Sequence, residues 1–315
     1  TTKNWLVAPA QLASFGTELP ATINGGKIRN NGVEVALTWN DRAGDFSYGA
    51  NVNFAHNKNK VIEIKNDEGI IRPSYDDIIF QGATEIYRAQ VGYPIGYFYG
   101  YKTAGVFQTQ QQVNEYKGAK LADAREGDVI WVDRDGDGKI TENDRGMIGN
   151  PHPDFTLGIG FNAAYKGFDI SLTMYGAFGQ QIMKSYRSWS DFPKDNHTSE
   201  IFGRWHGEGT SNRLPRLTTN SHSNWRYVSD LYVEDGDYLR MQNITLGYDF
   251  KRLFPKMFLQ QARVYVTAQN LFTITGYSGM DPEVGYSAGD SWASGIDTGF
   301  YPTPRTYIVG VNLKF

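Results

Sequence analysis

Residues 133–144 are the clearest place for chemistry in this sequence: Asp133-Arg-Asp135-Gly-Asp137-Gly138-Lys139-Ile140-Thr141-Glu142-Asn143-Asp144. They fit the calcium-loop pattern at positions 1, 3, 5, 6, 7 and 12. Three carboxylates at alternate positions can converge on one cation because Gly138 permits a sharp turn. Lys139 then offers its backbone carbonyl, and Ile140 packs the loop down. Position 12 is Asp144 where the pattern has Glu, one methylene shorter, and no amphipathic helix flanks the loop. Without an ion, the same residues make an Asx-rich turn held by side-chain to backbone hydrogen bonds. The metal reading places a structural Ca2+ at Asp133, Asp135, Asp137, Lys139 and Asp144, since carboxylates this close repel without a cation.

Other chemistry finds no support. Gly158-Ile-Gly160-Phe-Asn-Ala163 fits the dinucleotide fingerprint, but it lies within a period-two segment with no helix after it. Glycine facing a crowded interior accounts for it better. His56, His152, His197, His206 and His222 show no metal spacing, and no G-x-S-x-G or phosphate loop occurs. Cysteine is absent, which removes thiolate metal sites, disulfides and Cys nucleophiles together. Arg204, Trp205, Arg213 and Arg216 form a basic-aromatic stretch, read as a solvated loop surface in preference to a site for an acidic ligand. Lys+Arg is 31 against Asp+Glu 34, a net charge of −3, so there is no field for holding nucleic acid.

The elements that position these residues are strands. Val33, Val35, Leu37 and Trp39 alternate with Glu34, Ala36 and Thr38. After a turn expected at 40–45, Phe46, Tyr48, Ala50, Val52 and Phe54 alternate with Ser47, Gly49, Asn51 and Asn53. A second hairpin runs from Phe155 to Tyr165, turns at Lys166-Gly167 and continues from Phe168 to Met174. Further strands are expected at about 237–250, 261–274 and 304–315. Alternation over seven segments means a sheet with one apolar and one polar face. No run approaches 18 apolar residues, so no transmembrane helix is encoded. A transmembrane strand needs only about 10 residues, every second one apolar.

Two environments produce this pattern: a soluble sandwich, with apolar faces packed together, and a transmembrane barrel, with apolar faces on lipid. Three features favour an all-β transmembrane antiparallel barrel. The polar faces carry Gly, Ser, Thr and Asn more than Lys and Glu. Aromatics gather near strand ends (Trp39, Phe46, Phe54, Phe155, Tyr165, Phe168, Tyr307, Phe315). Connections alternate tight (40–45, 166–167) and very long (63–153, 183–235, 275–303). In such barrels tight turns face the periplasm and long loops face outside. Seven spans is an odd number, which points to a segment of a larger barrel occupying 1–315. Thr1 opens the chain with no basic and apolar leader, so any secretory signal is expected to be removed already or to lie outside this segment. Val311, taken as near mid-strand on the lipid face, is expected to tolerate arginine poorly, at about 2–4 kcal/mol.

Several stretches resemble the SusC/RagA family of TonB-dependent outer-membrane transporters of Bacteroidetes. They are Gly92-Tyr-Pro-Ile-Gly-Tyr-Phe-Tyr-Gly-Tyr101 with Gly105-Val-Phe-Gln108, the run from Gly127 through Ile140 to Ile148-Gly-Asn-Pro151, and Tyr232 through Gly247. Val264 through Phe272, Asp281-Pro-Glu283 and the end from Tyr301-Pro-Thr-Pro-Arg305 to Phe315 complete them. Their order and spacing match the family's C-terminal region across nearly the whole chain. The resemblance implies the C-terminal part of a 22-stranded barrel, with the plug, the TonB-contacting segment and the earlier strands absent here. It further implies outer-membrane import of oligosaccharides or oligopeptides, with TonB and a SusD-like surface lipoprotein as partners and no enzymatic step. The long loops would then be extracellular and meet lid and ligand. Their aromatics, among them Tyr93, Tyr97, Tyr99, Trp189, Trp205, Trp225, Tyr286 and Trp292, either stack on a ligand or pack the loops on one another. A C-terminal aromatic, Phe315, is how such barrels present themselves for assembly, as the resemblance implies. The rival readings are a secreted, calcium-stabilised β-sandwich that binds carbohydrate, and a passive porin or adhesin barrel.

Overall fold

The computed structural model describes residues 1–7, 23–73, 83, 85–187, 197–219, 222–284 and 292–315. Its main element is an antiparallel sheet whose strands follow chain order: β1 (Thr2–Val7), β2 (Ile23–Ala43), β3 (Phe46–Ile64), β4 (Phe155–Tyr165), β5 (Phe168–Phe178), β6 (Tyr238–Asp249), β7 (Gln261–Gln269) and β8 (Thr306–Lys314). A short strand, Thr273–Thr275, pairs with the start of β6. The seven segments with alternation are all strands. β1, too short for its alternation to stand out, adds another along the far end of β2. Among the described residues β1 and β8 are the sheet's edges, and it does not close on itself.

The short connections lie at one end. β2 continues through Ala43, which pairs with Phe46, so the turn is Gly44-Asp45 alone and not the 40–45 expected. At Lys166-Gly167 both residues have positive φ, 46° and 98°, as a two-residue hairpin matching the strand twist requires. The third connection, 250–260, carries a single 3-10 turn, Phe250–Arg252.

Register turns the alternation into rows across the sheet. One row reads Trp39, Ala50, Phe161, Leu172, Ile244, Ala268 and Tyr307; the next, toward the short turns, reads Asp41, Tyr48, Ala163, Ile170, Leu246, Val266 and Val309. This face is uncovered among the described residues: Leu37, Trp39, Val309 and Val311 are 64%, 63%, 73% and 58% exposed. Two aromatic rows bound it. Phe54, Phe155 and Phe178 lie toward the long loops, with centroids 5.6 and 4.9 Å apart. Phe46, Tyr165, Phe168 and Tyr248 lie toward the short turns. Such paired belts flank the apolar band of a membrane barrel. Val311 is near the middle of β8 as expected, but it pairs with Val264, which pairs with Tyr248, so it stands at the level of the lower aromatic row and not midway between the belts. The sandwich reading finds no support here, because among the described residues no second layer covers the apolar face.

The opposite face is polar and tightly filled. Thr245 and Thr267 share a hydrogen bond of 2.8 Å, and Arg263 grips Asp169 through Nε and one terminal nitrogen across Gly247. Gly160, from the rejected nucleotide fingerprint, makes room for Asn51: a Cβ there would come within 1.8 Å of the amide oxygen. Glycine serves close side-chain approach at that position.

At the other end the three long connections form one packed layer. A single core takes Tyr87, Phe98, Tyr101, Val129 and Trp131 from the first, Met183, Val228, Leu231, Tyr232 and Val233 from the second, and Ala293 and Ile296 from the third. Short strands stitch it: Gln181–Lys184 lies between Val233–Asp235 and Ile296–Asp297. A smaller core of Val61, Ile64, Ala89 and Ile95, with Trp5 and Ile28 against it, ties the layer to the ends of β2 and β3.

Candidate functional site

The acidic loop sits on the outer surface of this layer. Oxygens of Asp133, Asp135 and Asp137 lie within 4.8 Å of one another, the one such carboxylate group among the described residues. Asp133 accepts the backbone N–H of Gly136 and Gly138 at 2.7 and 2.9 Å, and Asp137 accepts that of Lys139 at 2.8 Å. Gly136 and Gly138 have φ of 75° and 82°, which glycine adopts freely. Asp144 stands outside this group of three and reaches back to the start of the loop. It is fully buried and accepts N–H groups of Arg134 at 2.7 Å and Thr141 at 2.6 Å, closing a capping box on the 3-10 turn Glu142–Asp144. Burial alone would raise its pKa, but these backbone donors outweigh it and hold the carboxyl below the usual range. Its place is to anchor the loop's end to its beginning.

The aromatic candidates divide. Tyr97 and Trp225 are each 1% exposed. Tyr97 stacks on Tyr93 at 4.8 Å and donates its hydroxyl to Gln90, while Trp225 lies beneath the Arg187 guanidinium. Both pack the loops on one another. Tyr99 is likewise buried, between Arg88 and Arg145. Trp292 is half-buried, edge-on to Trp5 and Tyr87 at 6.4 and 5.0 Å, where it joins the two cores. Trp189 and Tyr286 lie outside the described residues. In the basic-aromatic stretch Arg216 is bound to buried Asp128 at 2.7 Å, and Arg213 is exposed.

Trp205 is half-buried and packs against Gly127, whose φ is +81°. A Cβ at Gly127 would meet the indole at 2.4 Å. Gly127→Ala should therefore destabilise the loop layer by about 1–3 kcal/mol, read as a lower unfolding temperature of the layer. An unchanged temperature would show that the Trp205 contact does not form.

Two buried ionic clusters escaped the sequence reading. Lys184 reaches Glu200 and Glu234 of its own long connection and Ser278 of the next, and these carboxylates raise its pKa although burial by itself would lower it. Arg240, 4% exposed, binds Asp281 and Glu283. The signal for the second lay in an arginine within an otherwise regular strand and in the Asp281-Pro-Glu283 motif.

The chain is 32% identical to TonB-dependent receptor P3 of Formosa agariphila over 98% of its own length and 31% of that protein's. It is 29% identical to TonB-dependent receptor SusC of Bacteroides thetaiotaomicron over 93% of its length and 27% of the relative's. The chain is a SusC/RagA-like member of the TonB-dependent receptors. No family model matches it. The fold of the SusC/RagA-like chain superposes on the structure of the RagAB peptide transporter with a TM-score of 0.74 at 21% identity, covering 99% of this chain and 32% of the other. It spans about a third of the length of these receptors.

Proposed function

We propose that this chain is the C-terminal part of a closed, 22-stranded outer-membrane barrel that imports oligosaccharides or oligopeptides. TonB supplies the energy through a region outside this segment, and a SusD-like lipoprotein closes over the loop layer. The observation that carries the reading is the union of an uncovered apolar band, bounded by two aromatic rows, with a loop layer packed from three long connections at one end only. The relatives' receptor character favours coupled import over a passive pore. No bond chemistry is needed: the polar face lines a wet interior and the loop layer forms part of the mouth. Among the aromatic candidates Trp205 and Trp292, each half-buried, retain surface for a lid or ligand. The test is uptake by cells carrying the full-length receptor with its neighbouring lipoprotein. Loss of uptake on deleting either TonB or the lipoprotein is expected; undiminished uptake without TonB would favour the passive pore.

The Asp133, Asp135 and Asp137 loop, with the Lys139 carbonyl, is proposed to hold one structural Ca2+ that stiffens residues 127–150. Asp135→Ala with Asp137→Ala should remove about one equivalent of calcium from the purified receptor and expose the loop to protease. Unchanged metal content would leave the Asx-turn reading standing.

A further inference from the structure

The rows of the apolar face continue past the membrane band, and their chemistry changes abruptly. Above Val33 and Phe54 on β2 and β3, the same face carries Asn31, Arg29 and Lys27 on one strand and His56, Lys58 and Lys60 on the other. Arg29 stands directly opposite Lys60, and Lys58 lies two residues along the same face, opposite Asn31. Lys3 of β1 is opposite Lys27, which is paired with Glu63. Arg29, Lys58 and Lys60 are exposed, and no carboxylate pairs with them among the described residues. Like charges directly opposite each other in a sheet are destabilising. They border a cleft of about 340 Å3 whose other walls are four asparagines with Gly92, Pro94, His152, Pro153 and a single acid, Asp154.

Position defines what would offset that repulsion. Arg29 lies four residues beyond Val33, and Lys58 four beyond Phe54, which is about 13 Å along each strand. A lipid whose chains cover Val33, Val35 and Phe54 therefore brings its headgroup to the cationic rung. We propose that Arg29, Lys58 and Lys60 bind the phosphorylated headgroup of an outer-leaflet glycolipid, seating this side of the barrel in that leaflet. The inference rests on the membrane reading above. Arginine and lysine together suit phosphate, arginine by its fork of donors and lysine as a mobile point charge.

The test uses the full-length receptor in phosphatidylcholine nanodiscs, supplemented with diphosphoryl lipid A or with phosphatidylglycerol. Wild type should retain diphosphoryl lipid A roughly a hundredfold more tightly than the triple variant Arg29→Gln, Lys58→Gln, Lys60→Gln, from three lost cationic contacts at a lipid surface. The triple variant Arg29→Lys, Lys58→Arg, Lys60→Arg should restore most of that retention. Equal retention by wild type and the Gln variant would overturn the proposal. So would equal retention of phosphatidylglycerol by wild type, which would mean a general anionic surface. Insertion is scored separately by vesicle flotation: failure of both proteins to float would sink the membrane reading itself, whereas floating without lipid preference sinks only the rung.

Discussion

Arg240→Met should destabilise the receptor by about 3–5 kcal/mol, because it leaves Asp281 nearly buried without its cation. The guanidinium binds Asp281 and Glu283, and its Nε donates to Thr273 at 3.0 Å. Asp281 in turn accepts the N–H groups of Thr303 and Glu283, both at 3.0 Å. Burial would raise the Asp281 pKa, but those backbone donors and Arg240 outweigh it and hold the carboxyl below its ordinary value. A depressed pKa contributes stability that is complete above the unfolded carboxyl value, about pH 4, and is lost as pH falls through the lower folded value. At pH 7 the pair is therefore fully formed, and the variant's full deficit should appear there. The gap between wild type and variant should narrow only in acid. A deficit below about 1 kcal/mol at pH 7 would mean that water reaches Asp281.

Leu172→Arg should cost about 2–4 kcal/mol, while Val311→Arg should cost about 0–1 kcal/mol. Leu172 lies in the row of Trp39, Ala50, Phe161 and Ile244, midway between the two aromatic belts. Val311 lies at the level of Phe168 and Tyr248, where an arginine can snorkel to the interface. The ratio is more informative than either value, since a soluble packing face would show no dependence on distance from the belts. Denaturant unfolding of the receptor in lipid bilayers measures both. Equal costs at the two positions would contradict the depth assignment.

The sheet was legible because its signal is repetitive. Each strand from Val33 to Lys314 presents apolar side chains every second residue, and the long and short connections alternate, so the pattern is sampled many times. The extent of β2 and β3 was less so, because beyond Val33 and Phe54 the outward residues are polar, several of them lysine or arginine, and the apolar signal stops while pairing continues to Gly26 and Ile64. The packing of the loops was hidden for a different reason. Its core joins Trp131, Tyr232 and Ile296 across long sequence separations, and no local period marks such contacts. The bulge in β6 shows the limit most clearly. Thr173 pairs with Asn243 and Met174 with Met241, leaving Gln242 as the extra residue. Without it, Arg240 would share the lipid side of Ile244 and Leu246; the inserted residue turns it inward to Asp281. In the acidic loop the spacing located the three aspartates together, while Asp144 at position 12 closes a capping box and accepts backbone N–H groups, a local arrangement that the calcium-loop pattern does not encode.

Neighbouring residues on β5 give the most direct test of which face meets lipid. This chain brings no competing cysteine, so Leu172→Cys and Ser171→Cys can each be labelled with an environment-sensitive fluorophore in the full-length receptor reconstituted in bilayers, with any cysteine outside this segment first replaced by serine. Quenching by a lipid-attached spin label at Leu172→Cys, with quenching by aqueous iodide at Ser171→Cys, is the predicted result. Lipid quenching at position 171, or none at either, would contradict the account.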